Sequence, residues 1–155
     1  MKFVILALIA TAFTQNLFAQ DGANTQSPQL LNAYYKVKDA LVSSNPATAA
    51  TSAGELIQAI NMTDKLTLKE NLRSSLLNDA SAISQSKDLK SQREKFATLS
   101  NNMFELAKTL KLASDPVYQQ YCPMKKASWL SNDKAIKNPY YGNAMLTCGS
   151  VKTTL

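Results

Sequence analysis

LKSQREKFATLSNNMFELAKTL, residues 89–110, decides the fold. Leu89, Phe96, Met103 and Leu110 stand seven apart, and Leu99 and Leu106 fall three beyond the second and third of them. That is a heptad seam, and it predicts a long helix with one apolar stripe. Asp88, directly ahead, is a residue type that accepts the orphan amides of a first helical turn. Past Ala113, Asp115-Pro116 stops the pattern.

Reading back towards the N-terminus, the same periodicity recurs three times. Residues 67–86 place Leu68, Leu72, Leu76, Ala80 and Ile83 on one face, with Leu77 widening it. Asn45-Pro46 is a start signal for a helix over about 46–61, with Ala50, Ala53, Ile57 and Ile60 as its stripe. Ser27-Pro28 repeats that signal ahead of Leu30, Leu31, Tyr34, Val37, Leu41 and Val42. Four helices with one apolar face each and short connections pack most economically as an up-and-down four-helix bundle, so the expected class is all-α. The bundle is expected over 28–113 of a single domain, 28–155. Residues 114–155 form an irregular tail rich in Cys, Met and aromatic residues, where the alternation of VYQQY (117–121) allows a short β-hairpin.

Ahead of the first helix, Met1-Lys2, the apolar run from Phe3 and the small residue Ala19 read as a secretory signal peptide, 1–19. Its apolar run falls short of the about 20 residues that span a bilayer, so no stable membrane insertion is expected after cleavage. Residues 20–27 read as a flexible linker, and the expected location is periplasmic or secreted. The chain of 155 residues carries a net charge of +6, of which cleavage would remove one. That charge favours anionic surfaces, but nucleic acid is not an expected partner outside the cytoplasm. The sequence has no His, which excludes Ser-His-Asp and Cys-His nucleophile pairs, His-based zinc sites and the usual neutral-pH base.

What chemistry remains is concentrated in the tail, which holds both Cys and the only Trp. Cys122 and Met124 in C-P-M mirror Met145 and Cys148 in M-L-T-C. Thiolates and thioethers are soft ligands that select Cu(I), whereas hard cations need oxygen clusters that this segment lacks. Pro123 stiffens one pair, and a three-residue step sets Met145 and Cys148 on one side of a helical turn. Lys125 and Lys126 add positive charge that favours a thiolate. Trp129 and some of the Tyr rings are expected to pack on the bundle. The Asn138-Pro139-Tyr140-Tyr141-Gly142 turn is expected to hold the second pair against the preceding loop. Exposed rings at Trp129, Tyr140 and Tyr141 would instead suit a sugar or peptide.

Two readings of the cysteines stay open. In an exported chain, two Cys 26 positions apart favour a Cys122–Cys148 disulfide, which would contribute roughly 3.5 kcal/mol by loop closure. The mirrored Met favour a metal-binding thiol pair. Enzymatic function is not expected, because the carboxylates are scattered, and thiol redox exchange is its only available form.

The segments YCPM (121–124), WLS (129–131), IKNPYYG (136–142) and MLTCG (145–149) resemble a bacterial exported family of uncharacterised function. That family has the pattern C-P-M, W-L-S, N-P-Y-x-G, M-x-x-C-G, and also occurs joined to periplasmic adaptors of copper/silver-type heavy-metal efflux systems. The resemblance implies a helical domain with a soft-metal connection, Cys122, Met124, Met145 and Cys148 being the matching positions. The resulting expectation is a periplasmic Cu(I)-binding or carrier domain partnered with heavy-metal efflux or other periplasmic metal-handling proteins. The alternative is a disulfide-stapled interaction module without metal.

Overall fold

The computed structural model describes residues 26–110 and 112–155. The expected signal peptide lies outside the described residues, as does the expected linker up to residue 25. Helix α1 spans Gln26–Val42, so the backbone is already helical two residues before Pro28. It buries Leu30, Leu31, Tyr34, Val37 and Leu41. Asn45 caps the next helix, α2 (Pro46–Met62), its side chain accepting from Thr48 N at 3.0 Å. Here the buried stripe is Ala49, Ala53, Leu56 and Ile60, while Ala50 and Ile57 sit on its flank. The expected stripe was rotated by one position because a run of small residues carries almost no periodic signal.

Helix α3 covers Glu70–Gln85, starting three residues later than its apolar pattern, and α4 covers Leu89–Leu110. Asp88 accepts from Ser91 N at 2.8 Å, as the start of α4 requires. Phe96, Leu99, Met103 and Leu106 are buried along the heptad seam, and Leu89 and Leu110 are partly buried at its ends. The helices pack in sequence order, α1 on α2, α2 on α3 and α3 on α4. Connections of 43–45, 63–69 and 86–88 turn each helix back along its predecessor.

Two buried polar side chains lock these joints. The Arg73 guanidinium donates to the carbonyls of Ile60 and Thr63, satisfying the C-terminal end of α2. Gln92 Nε2 donates to Pro46 O at 2.9 Å and Ser86 O at 2.8 Å, tying α4 to the start of α2 and the end of α3.

The all-α expectation fails after α4. Strands β1 (Tyr118–Cys122), β2 (Ala127–Ser131) and β3 (Ser150–Thr154) form an antiparallel sheet in the order β2-β1-β3. In register, Gln120 faces Trp129 and Val151, and Cys122 faces Ala127. The sheet lies mainly on α4, with strand β2 nearest. An aromatic chain runs from bundle to sheet: Tyr34 stacks on Phe96 at 5.3 Å, Phe96 meets Tyr140 at 6.0 Å, and Tyr140 meets Trp129 edge-on at 5.9 Å. The Tyr34 hydroxyl joins α4 to the sheet, paired with Ser100 Oγ at 2.7 Å and accepting from Leu130 N at 3.0 Å.

Candidate functional site

Cys122 ends the central strand, where Pro123 follows and a four-residue turn leads into β2. Lys126 closes that turn with φ +55. The turn aims backbone amides back at the sulfur: Lys125 N donates to Cys122 Sγ at 3.4 Å, and the Met124 amide also faces it. The other cysteine arrives on the connection between β2 and β3. Gln120, Cys122 and Trp129 share one face of the sheet, since directly opposed residues point the same way. The connection folds over that face. Gln120 Nε2 donates to Asp133 O at 2.8 Å, and Gly149 stands close against both Trp129 and Ile136.

Asn138 holds the fold of this connection. Fully buried, it donates from Nδ2 to Cys148 O at 2.9 Å and accepts at Oδ1 from Tyr140 N at 2.9 Å. Its backbone N–H donates to Leu146 O at 2.8 Å and its carbonyl accepts from Gly142 N at 3.0 Å. A short 3-10 helix, Gly142–Met145, then leads to Cys148, whose N–H donates to Met145 O at 3.1 Å. Arg93 of α4 anchors the same turn, donating from Nε to Pro139 O at 2.9 Å. Gly142 takes φ +54 against Val42 O, Ser44 and Arg93, where any Cβ would collide. The sum of these constraints sets Cys148 Sγ 3.8 Å from Cys122 Sγ, with both cysteines free.

The two thiols are electrostatically unlike. Burial pushes the Cys122 thiol up, but the Lys125 amide, the Asn138 side chain, the Cys148 thiol and the Met124 amide together outweigh it and hold it below the ordinary value. Cys148 is pushed up, first by burial and then by its neighbour Cys122. The pair therefore ionises first at Cys122, with Cys148 as proton donor to the thiolate. Lysine charge was the expected cause. The groups that act are amides and the Cys148 thiol, and Lys125 contributes through its backbone N–H.

The pair supplies two soft donors. A sulfur–metal bond of about 2.3 Å at a tetrahedral angle puts two sulfurs about 3.8 Å apart, whereas a disulfide needs about 2.05 Å. Among the described residues no group of three or more His, Cys, Asp or Glu stands together, so the ligand set of a closed zinc site or an oxygen-rich hard-ion site is not assembled. The thioethers are placed differently from each other. Met124 is 64% exposed at the hairpin tip, and Met145 is partly buried in the 3-10 helix. Trp129 is buried, as expected, Tyr140 is buried and Tyr141 is partly buried, so the alternative of exposed rings that suit a sugar or peptide does not hold for Trp129 and Tyr140. Sequence reasoning missed Gln120, Ile136 and Gly149 as parts of the enclosure. Gly149, with φ +151 beside Cys148, was the available signal.

Access opposes electrostatics at this pair. Cys122, whose thiol is held below its ordinary value, has 0% exposure, while Cys148, whose thiol is pushed up, is partly exposed. No described helix is long and apolar enough to cross a membrane.

A family model described as a protein of unknown function (DUF3347) matches residues 30–115, which cover most of α1, all of α2 to α4 and the start of the tail. No curated protein matches the chain, and no solved structure does.

Proposed function

This chain belongs to the DUF3347 family, whose function is unknown, and from that premise we propose that it is an exported soft-metal binding or carrier protein that takes Cu(I) as cargo. The observation that carries the reading is the 3.8 Å spacing of Cys122 Sγ and Cys148 Sγ beneath a turn of donating amides. Those two sulfurs would hold the ion, with the exposed Met124 thioether as a soft donor at the hairpin tip and Met145 in support. Capture requires both sulfurs as thiolates, and the amides of Met124 and Lys125 offset the charge on Cys122. Asn138, Pro139, Tyr140 and Gly142 position the second sulfur, and Trp129 closes the sheet face beside it. The resemblance of the tail to a family that also occurs joined to copper/silver-type efflux adaptors supports heavy-metal efflux or periplasmic metal-handling proteins as partners. No catalytic role is assigned. The same proximity supports a second reading, a disulfide staple in an interaction module.

An anaerobic competition titration against a chromogenic Cu(I) chelator separates the two. Reduced wild type should bind one ion. Cys122→Ser and Cys148→Ser should each lose at least about 100-fold in affinity, more than changes outside the ligand shell cost. Met124→Leu and Met145→Leu, which keep volume but remove a donor, should each lose only a few-fold. Wild type competing no better than the double Cys→Ser variant would leave the staple as the surviving reading.

A further inference from the structure

The two sulfurs of the pair differ in how they can be reached and how they can move. Cys122 terminates the central strand, hydrogen-bonded into β2 on one side and within a strand paired to β3 on the other, and is fully buried. Cys148 lies on the connection, partly exposed, held through its backbone by Asn138 Nδ2 and Met145 O. An oxidant in solution therefore meets Cys148 first, with the Cys122 sulfur waiting 3.8 Å behind it.

We propose that Cys148 is a thiol-modification site where a small disulfide such as glutathione disulfide attaches, and that Cys122 is the resolving thiol that closes the pair and expels a bound soft ion. In the first step Cys148, the thiol within reach of solvent, gives up its proton to water and its sulfur attacks one sulfur of glutathione disulfide. A bond forms between Cys148 Sγ and that sulfur, the oxidant's own S–S bond breaks, and one glutathione leaves as a thiolate that takes up a proton. In the second step Cys122 Sγ attacks Cys148 Sγ. The Cys122–Cys148 bond forms, the mixed disulfide breaks, and the second glutathione leaves in the same way. Two protein thiols are oxidised by two electrons, and one glutathione disulfide is reduced to two glutathione molecules. The ion keeps its oxidation state and departs with the released thiols.

Closing the gap from 3.8 Å to about 2.05 Å requires movement of about 1.8 Å. That movement falls to Cys148, which lies outside the sheet, whereas Cys122 sits in its central strand. Expulsion of the ion rests on the metal-binding reading above, whereas the order of modification does not.

The test uses intact-protein mass spectrometry on the reduced, metal-free chain treated with glutathione disulfide and quenched with an alkylating agent. Wild type should lose two hydrogens and show no lasting glutathionyl adduct. Cys122→Ser should accumulate one glutathionyl group on Cys148, at least tenfold faster than Cys148→Ser acquires one on Cys122. Equal or reversed rates would overturn the assignment, as would a wild type that stops at the mixed disulfide. Limited alkylation of wild type with peptide mapping gives the same reading without either variant, and Cys148 should be labelled first. Labelling of Cys122 first would overturn it. In a parallel arm with Cu(I) loaded, ion appearing on a chelator in step with disulfide formation supports expulsion, and ion retained by the oxidised protein refutes it. A reduced wild type that never takes up Cu(I) would sink the metal reading while the mass result still decides the order of modification.

Discussion

Asn138→Ala removes one side chain and should damage both the fold and the thiol pair. Asn138 is fully buried and serves two backbone groups at once, Cys148 C=O and Tyr140 N–H, each at 2.9 Å. Alanine reaches neither. A buried donor or acceptor left without a partner costs about 1–3 kcal/mol, so the pair should cost about 3 kcal/mol once some relaxation is allowed. For a domain of this size that lowers the melting temperature by roughly 10 °C. The local effect exceeds the global one, because the lost donor is what fixes Cys148 against Cys122. Cu(I) affinity of the reduced protein should fall by about 10- to 100-fold, as for other groups that orient a ligand. Asn138→Asp separates the two consequences. It still accepts from Tyr140 N, so its stability loss should be smaller. It cannot donate to Cys148 and sets a carboxylate beside the Cys122 thiolate, so its affinity loss should be at least as large. Thermal unfolding by circular dichroism and chelator competition measure both. An Asn138→Ala variant that melts within about 2 °C of wild type, a shift below 1 kcal/mol, and competes equally for Cu(I) would refute this reasoning.

Phe96 is fully buried and stacked on Tyr34 in the bundle core, so Phe96→Ala should cost about 4 kcal/mol in urea unfolding and Phe96→Asp should abolish the folded state. Burial holds the hydroxyls of Tyr34, Tyr35 and Tyr140 above their ordinary pKa of about 10. Their contribution to stability is complete below that value and is lost as pH rises beyond it, so alkali should release three phenolates together with the loss of near-UV circular dichroism; their gradual ionisation in folded protein would contradict this. Cu(I) binding should tighten by about tenfold per pH unit where Cys122 is ionised and Cys148 is not, and more steeply at lower pH where two protons must leave, as chelator competition across pH would show.

The helices were legible because their signals are local. Asn45 and Asp88 cap where their sequence contexts say, and the Phe96, Leu99, Met103 and Leu106 seam is buried along its length. The strands were less legible. VYQQY reads as a strand and β1 starts one residue into it, but ASWLS buries Trp129, Leu130 and Ser131 in succession, so no alternation marks β2. Strand β3 is mostly exposed and depends on its pairing with β1, a long-range contact with no local signature. At the site, residue types alone nominated Cys122 and Cys148. Their meeting depends on Asn138 folding an 18-residue connection over the sheet, and a buried asparagine looks in sequence like any turn residue. The amides that lower the Cys122 thiol are invisible in principle, since every residue but proline carries one.

The central claim is that two cysteines from opposite ends of the tail act as one soft-metal site. Copper-edge X-ray absorption on reduced protein, loaded anaerobically with one equivalent of Cu(I), tests it most directly. Monovalent copper with a first shell of sulfur, losing sulfur scatterers in Cys148→Ser, is the expected result. A first shell of nitrogen or oxygen, or a spectrum unchanged in Cys148→Ser, would contradict it.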